Sequence, residues 1–326
     1  MAMDILMIGH SRSGKTSYMA GLYKEYGDKE DGIGIWTSDS SKKERLERIA
    51  NNISHGTYPS GTDISSEYNF WLQIDNRLVI PFDWYDYRGG ALSESSKTSR
   101  DAQKLIERIE SADALIVFLD GEKIVYETDE EAEDDYEILL WAIQKAVSRK
   151  QISTGNYFPI SFVVTKGDLY PGEPLIYTKD GIKYYNTSFF EGLDYFLPFI
   201  KTIRESNTVA GMLTKCEVSR YGIENVLPPL LFSLYYGMND YIDKRIDIIN
   251  NEVDYYNKLD PNIVDDLFCG LDNLFGGNSK SDREMARESL KRINKEKENL
   301  KYLKSKKEKF WNDLNKLVKE NKIIKF

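Results

Sequence analysis

Four residues separate Gly9 from Gly14-Lys15-Thr16 in the stretch MIGHSRSGKTS, residues 7–17. A loop of that length, bounded by glycine, lets backbone N–H groups turn inward on phosphate oxygens. A lysine at its end bridges the outer phosphates, and the hydroxyl that follows ligates Mg²⁺. The candidate phosphate-binding residues are Gly9, Ser11, Arg12, Ser13, Gly14, Lys15, Thr16 and Ser17, with Thr16 as a metal ligand. Asp86 ends an apolar run and is followed by Tyr87-Arg88-Gly89. A carboxylate there can hold Mg²⁺ through water, and the Gly89 N–H can meet a terminal phosphate. Thr165-Lys166-Gly167-Asp168 closes a third apolar run. The Asp168 carboxylate can accept from guanine N1–H and the 2-amino group, which adenine does not offer in that arrangement. A site built on such acceptors discriminates strongly, because the wrong base leaves them unpaired. Lys166 can lie along the plane of the base.

Each constellation needs a strand end to hold it. Residues 4–8 read as a buried strand running into the glycine loop. The helix after the loop carries Met19, Leu22, Tyr23 and Tyr26 on one face and stops at Gly27. A short strand is expected at 33–36, then a helix over 42–52 capped by Ser40 or Ser41. Runs 67–74 and 78–84 flank Asp75-Asn76 and predict a hairpin. A helix over 98–111 leads to a strand at 114–119. The acidic run at 127–137 opens another helix and reads as a solvated start that suits the helix dipole. Strands are expected at 159–164 and 215–219, separated by an aromatic insertion at 169–207 that borders the core, and a helix at 228–236. Strands alternating with helices predict an α/β fold with a mostly parallel sheet and helices on both faces. From about residue 240 the pattern turns helical. A long charged helix is expected over 282–320, with Ala286, Leu290, Ile293, Leu300, Leu303, Phe310, Leu314 and Leu317 approximating a heptad seam broken by Lys297 and Lys307.

Charge is distributed unevenly. The net charge is -9, but residues 280–326 carry 16 Lys/Arg against 8 Asp/Glu, while the preceding part carries 28 against 45. An acidic body argues against a broad nucleic-acid surface, and the basic helix, with its apolar seam, is expected to pack against a partner helix, a second copy or its own body. No apolar run reaches the roughly 18 residues that span a bilayer. The opening MAMDILMIGH has no basic run or cleavage signal, so no export leader is expected. Two cysteines, Cys216 and Cys269, show no pairing or metal spacing and point to a reduced cytoplasmic setting. Two histidines, His10 and His55, are too few for a histidine-built metal site.

The order GxxxxGKT, DxxG, TKxD resembles a Ras-type P-loop GTPase of the translation-factor class, over roughly residues 3–236. The long stretch after the first helix and the YPSGT segment resemble, within that class, the bacterial double-GTPase families of conflict and defence systems. The resemblance implies a GTPase domain over 1–238 with a helical extension over 239–326, GTP or GDP with Mg²⁺ as ligands, and switch segments near 54–64 and 87–97. It implies a switch threonine that ligates Mg²⁺, with Thr62 as first choice and Thr57 as second. It also implies a last base-binding loop at SRYG, where the backbone after Ser219 meets guanine O6. In Ras-like proteins a glutamine follows the DxxG glycine, and here that position is Gly90. Slow unaided hydrolysis follows, with Lys15, Thr62, Arg12 and Arg88 as the candidate catalytic residues and Tyr87 as a further stand-in. A hydrolysis-deficient binding module is the alternative. A P-loop ATPase or nucleotide kinase is a third reading, which TKGD opposes.

Overall fold

A computed structural model describes residues 2–60, 66–86, 100–126, 130–150, 156–169, 176–179, 182–185, 203, 205–258, 282–320 and 323–325. Thr62, Tyr87, Arg88, Gly89 and Gly90 lie outside these residues, as do Cys269 and most of the aromatic insertion.

The described chain divides into two compact units, Met1–Asn239 with Glu308–Phe326, and Asp240–Lys307. Residues 308–326 thus belong with the first unit, whereas the sequence reading set all of 239–326 apart.

In the first unit the strands are β1 (Met3–Gly9), β2 (Ile33–Trp36), β3 (Ser66–Ile74), β4 (Arg77–Asp86), β5 (Ala114–Leu119), β6 (Phe158–Val164), β7 (Ile176–Lys179), β8 (Ile182–Tyr185), β9 (Val209–Lys215), β10 (Glu217–Val218), β11 (Ile223–Glu224) and β12 (Ile323–Lys325). The helices are α1 (Lys15–Tyr26), α2 (Ser40–Ser54), α3 (Arg100–Ser111), α4 (Gly121–Tyr126), α5 (Glu130–Arg149), α6 (Leu227–Lys258) and α7 (Asp282–Lys319), the last two passing into the second unit. An eight-stranded sheet has the order β12-β9-β6-β5-β1-β4-β3-β2, with β7-β8 and β10-β11 as separate hairpins. The pairs β1/β4, β1/β5, β5/β6 and β6/β9 are parallel, while the edges β2/β3, β3/β4 and β9/β12 are antiparallel.

Burial explains the continuous apolar strands. Every residue of β5 and β6 is buried, as a parallel strand covered on both faces requires. On one face Leu6, Ile8, Leu115, Val117, Ile160 and Phe162 pack with Leu105 and Ile109 of α3 and Leu139 and Ile143 of α5. Each such side chain contributes about 1.5–3 kcal/mol when fully buried. On the other face the Tyr18 ring of α1 meets Phe118 and Trp84 edge-on at 5.0 and 5.8 Å. Gly237 of α6 lies against the tip of the Met3 side chain, which a Cβ there would displace.

Three local expectations change. The cap of α2 is Asp39, whose carboxylate accepts from the Ser41 and Lys42 N–H groups at 3.1 Å each, so Ser40 and Ser41 are helical. The last parallel strand is 209–215, not 215–219. Residues 209–214 are buried, and Glu217–Val218 belong to the separate β10-β11 hairpin. β12 has no counterpart in the sequence reading, because three residues carry too little periodicity to declare a strand. The Asp75-Asn76 hairpin is present, with both residues at positive φ, 47° and 62°, the geometry of the turn that matches strand twist.

In the second unit Ile249, Ile293, Leu300 and Leu303 are buried and Arg245 pairs with Glu296 through both guanidinium arms. With Phe310 and Leu314 buried in the first unit, these residues of the heptad seam are buried within a single chain.

Candidate nucleotide-binding site

The parallel registers put four strand ends on one line. Gly9 lies beside Phe118, Leu119 beside Val164, and Val164 beside Lys215. The loops leaving these ends, 10–14, 120–122, 165–168 and 216–218, therefore start together at the carboxyl edge of the sheet, where open α/β sheets bind ligands. A cavity of about 410 Å³ opens there.

Its floor is the glycine loop and the start of α1. Arg12, Ser13, Gly14, Lys15, Thr16 and Ser17 line it. Gly14 caps α1 at φ 84° with no side-chain hydrogen bond to the first turn, so those N–H groups face the cavity without a capping oxygen, the arrangement that receives an anion. A Cβ on Gly14 would lie 3.1 Å from Thr165 Cβ and Cγ2. Lys15, 4% exposed, donates from Nζ to the carbonyls of Gly9 at 2.8 Å and His10 at 2.9 Å. Ser13 Oγ is buried and without a hydrogen-bond partner, a donor available to a ligand oxygen. Gly9 and Ser11 sit outside the lining. Gly9 fits because a Cβ would meet the Phe118 carbonyl at 2.7 Å.

The far wall is the TKGD turn. Thr165, Lys166 and Asp168 all line the cavity. Thr165 Oγ1 donates to the Ser13 carbonyl at 2.9 Å and reaches the Leu119 carbonyl at 3.1 Å, joining the glycine loop to the TKGD turn. The Gly167 N–H donates to the Cys216 carbonyl at 3.0 Å. The Lys166 side chain, which lines the cavity, carries its amine to two carboxylates. It holds Asp120 Oδ1 at 2.8 Å and Glu122 Oε2 at 2.5 Å. Burial alone would lower its pKa, but the hydrogen bonds and charges of Asp120 and Glu122 outweigh it, and the pKa is raised.

Glu122, Cys216 and Val218 line the cavity and were not among the expected site residues, and Tyr58, Pro59 and Ser60, from the segment expected as a switch near 54–64, line it too. Ser219, by contrast, does not line the cavity. Its N–H donates to the Gly222 carbonyl at 2.9 Å and its hydroxyl to Glu217 at 2.6 Å, so it belongs to the β10-β11 turn. Once β9 is placed at 209–215, Cys216 and Val218 follow the strand end, and that shift of the strand is the signal that was misread. Cys216 is fully buried, which pushes its thiol pKa up. Thr57 is also outside the lining. With Gly56 at φ 81°, its N–H returns to Asn52 at 2.9 Å and closes α2.

For a metal, Thr16 lines the cavity, and β1-β4 pairing sets the backbone of Asp86 beside Met7. Among the described residues no group of three or more His, Cys, Asp or Glu could hold an ion. Mg²⁺ suits such a site, since it keeps waters and substrate phosphates as ligands instead of a protein cage.

Residues 6–153 match the model of the Double-GTPase 1 family. The match covers under half of the chain and includes the glycine loop, α1 and β4. The fold is α/β and P-loop GTPase-like, and over residues 6–153 the chain resembles the double-GTPase families. The chain is similar to the signal recognition particle receptor in the SRb-GTP/SRX complex from Chaetomium thermophilum, at 12% identity over 67% of this chain and 91% of that one, TM-score 0.38. It is similar to the Arl6 BBS3 small GTPase from Trypanosoma brucei, at 13% identity over 73% and 99%, TM-score 0.40. A bacterial selenocysteine-specific elongation factor matches at 14% over 67% of this chain and 26% of its own, TM-score 0.31. Identities and scores this low add nothing to the topology already described. No curated protein matches the chain. No helix among the described residues is long and apolar enough to cross a membrane.

Proposed function

We propose that the protein is a GTP-binding switch that hydrolyses GTP to GDP slowly without a partner. One observation carries the reading. The Thr165–Ser13 hydrogen bond ties the guanine-reading turn to the phosphate loop, so that Asp168 and Lys15 line one cavity. In this reading Asp168 accepts from guanine, Lys166 flanks the base, and the first turn of α1 with Lys15 and Ser13 holds the phosphates. The backbone beyond Lys215, at Cys216 and Val218, takes the place first given to Ser219. Thr16, Asp86 and Thr62 would hold Mg²⁺, which supplies charge neutralisation at the β- and γ-phosphates. Gly89 and Thr62 read the γ-phosphate and order the two switch segments.

Gly90 cannot orient a water as a glutamine does, so Arg12, which lines the cavity, and Arg88 are the proposed charge-stabilising groups. An arginine in that role is worth about 10³–10⁵ in rate. A role in a bacterial conflict or defence system is part of the same proposal and rests on the resemblance of the sequence to the double-GTPase families. A protein partner engaged through the C-terminal helices belongs to the same proposal.

Titrations with GTP, GDP, ATP and XTP test it. Wild-type protein binds guanine nucleotides, and Asp168→Asn exchanges GTP for XTP with a loss of about 10² or more in GTP affinity. Equal binding of ATP overturns the reading. Single-turnover hydrolysis separates the slow enzyme from a hydrolysis-deficient module, and rapid unaided turnover excludes both.

A further inference from the structure

Asp120 is 3% exposed and is not among the residues lining the cavity. It follows β5 directly, one residue beyond the Leu119 carbonyl that Thr165 reaches. Its carboxylate accepts the Glu122 N–H at 3.0 Å, and the Lys166 amine holds both its oxygens, Oδ1 at 2.8 Å and Oδ2 at 3.0 Å. The same amine reaches Glu122 Oε2. A buried carboxylate requires a partner of this kind.

Lys166 occupies a left-handed backbone conformation, φ 56°, which a lysine does not favour. The turn is held on both sides of it. Thr165 is fastened to Ser13 and Leu119, and Gly167 to Cys216. The Lys166 head is the third fastening, and Asp120 is what fixes it. Asp168 lies two residues further along, and its direction depends on this turn.

The geometry points to Asp120 as a positioning residue for base selection. It anchors the Lys166 amine, keeps the left-handed turn, and so aims the Asp168 carboxylate at the base edge without touching the nucleotide. Glu122, on the cavity side, is the second and more exposed half of the anchor. This inference rests on the guanine reading of the site.

GDP and IDP differ by the 2-amino group alone, which Asp168 is held to accept. Full-length wild-type, Asp120→Asn and Glu122→Gln proteins are titrated with each, and their melting temperatures recorded without nucleotide. Wild type prefers GDP by about tenfold, and Asp120→Asn loses most of that preference. A merely structural Asp120 would weaken both nucleotides alike, and an unchanged GDP:IDP ratio overturns the inference while the guanine reading stands. Glu122→Gln, altering a side chain that is 60% exposed, keeps the fold and lowers the ratio by a smaller factor. Should Asp120→Asn fail to fold, an unchanged ratio in Glu122→Gln overturns the inference. Wild type that binds IDP as well as GDP removes the guanine reading and the inference with it.

Discussion

Thr165 is the residue on which the cavity turns. Its side chain is 4% exposed and its hydroxyl serves two buried carbonyls, Ser13 and Leu119. Thr165→Val keeps the branched shape and removes the donor, so the Ser13 carbonyl loses its partner while the Leu119 carbonyl keeps the Thr165 N–H at 3.0 Å. Stability in urea is expected to fall by about 1–3 kcal/mol, with a parallel loss of GDP affinity as the two loops uncouple. Gly14 is the second such point. Gly14→Ala must adopt φ 84° and bring a Cβ to 3.1 Å from Thr165. The left-handed backbone alone costs roughly 1–2 kcal/mol. Calorimetric titration is expected to show nucleotide affinity at least about tenfold weaker, the factor that 1.4 kcal/mol corresponds to. Both residues were visible in the sequence as parts of GxxxxGKT and TKGD. Their mutual contact was not, since 152 residues separate Thr165 from Ser13.

Among the elements, α2 offers the plainest pH test. Its cap is the exposed Asp39 carboxylate, whose pKa is held below the ordinary 3.8 by the Ser41 hydroxyl and the Lys42 N–H. A carboxylate lowered in this way contributes its full stability above the unfolded value and loses it as pH falls through the folded value. Asn caps nearly as well as Asp and carries no charge. Asp39→Asn is therefore expected to melt close to wild type at neutral pH and to hold up better than wild type in acid, whereas Asp39→Ala melts lower at neutral pH. Thermal melts at pH 7 and near pH 3 check both. β9 makes the opposite point. Its sequence VAGMLTK contains Gly and Ala and ends in Lys, so propensity alone did not mark it, and only burial between α-helical layers makes it a strand. Misplacing it by a few residues moved the base-side loop from Cys216 and Val218 to Ser219.

At the scale of the molecule, the segment after the helical unit returns to the sheet. β12 pairs antiparallel with Met212, Leu213 and Thr214 of β9, the strand that leads into the base-side loop. Lys325 Nζ stands 3.5 Å over the Trp311 ring, which stacks on Tyr235 at 5.1 Å, and burial lowers the Lys325 pKa. Removal of residues 321–326 would bare the β9 edge, a row of unpaired backbone groups prone to pair with other chains. A lower melting temperature and rising light scatter on warming are the expected results. Deleting the whole of 280–326 to test self-association would likewise remove this strand. The seam residues Ile293, Leu300, Leu303, Phe310 and Leu314 are already buried within the chain, so these five are not free to pair with a partner helix.

What the amino-acid sequence determined by itself were the short, self-sufficient pieces: the glycine loop, the TKGD turn, the apolar strands at β1, β5 and β6, and the 38-residue α7. Each is written in contiguous residues, because a tight turn or a strand buried on both faces dictates its own composition. Only the tertiary structure decided which residues meet. Asp120 behind Lys166, Tyr58 and Glu122 at the cavity, Cys216 and Val218 past β9, and β12 on the sheet edge all depend on the register of neighbouring strands. Register sets which strand ends lie side by side, and it arises from packing between residues far apart in the chain.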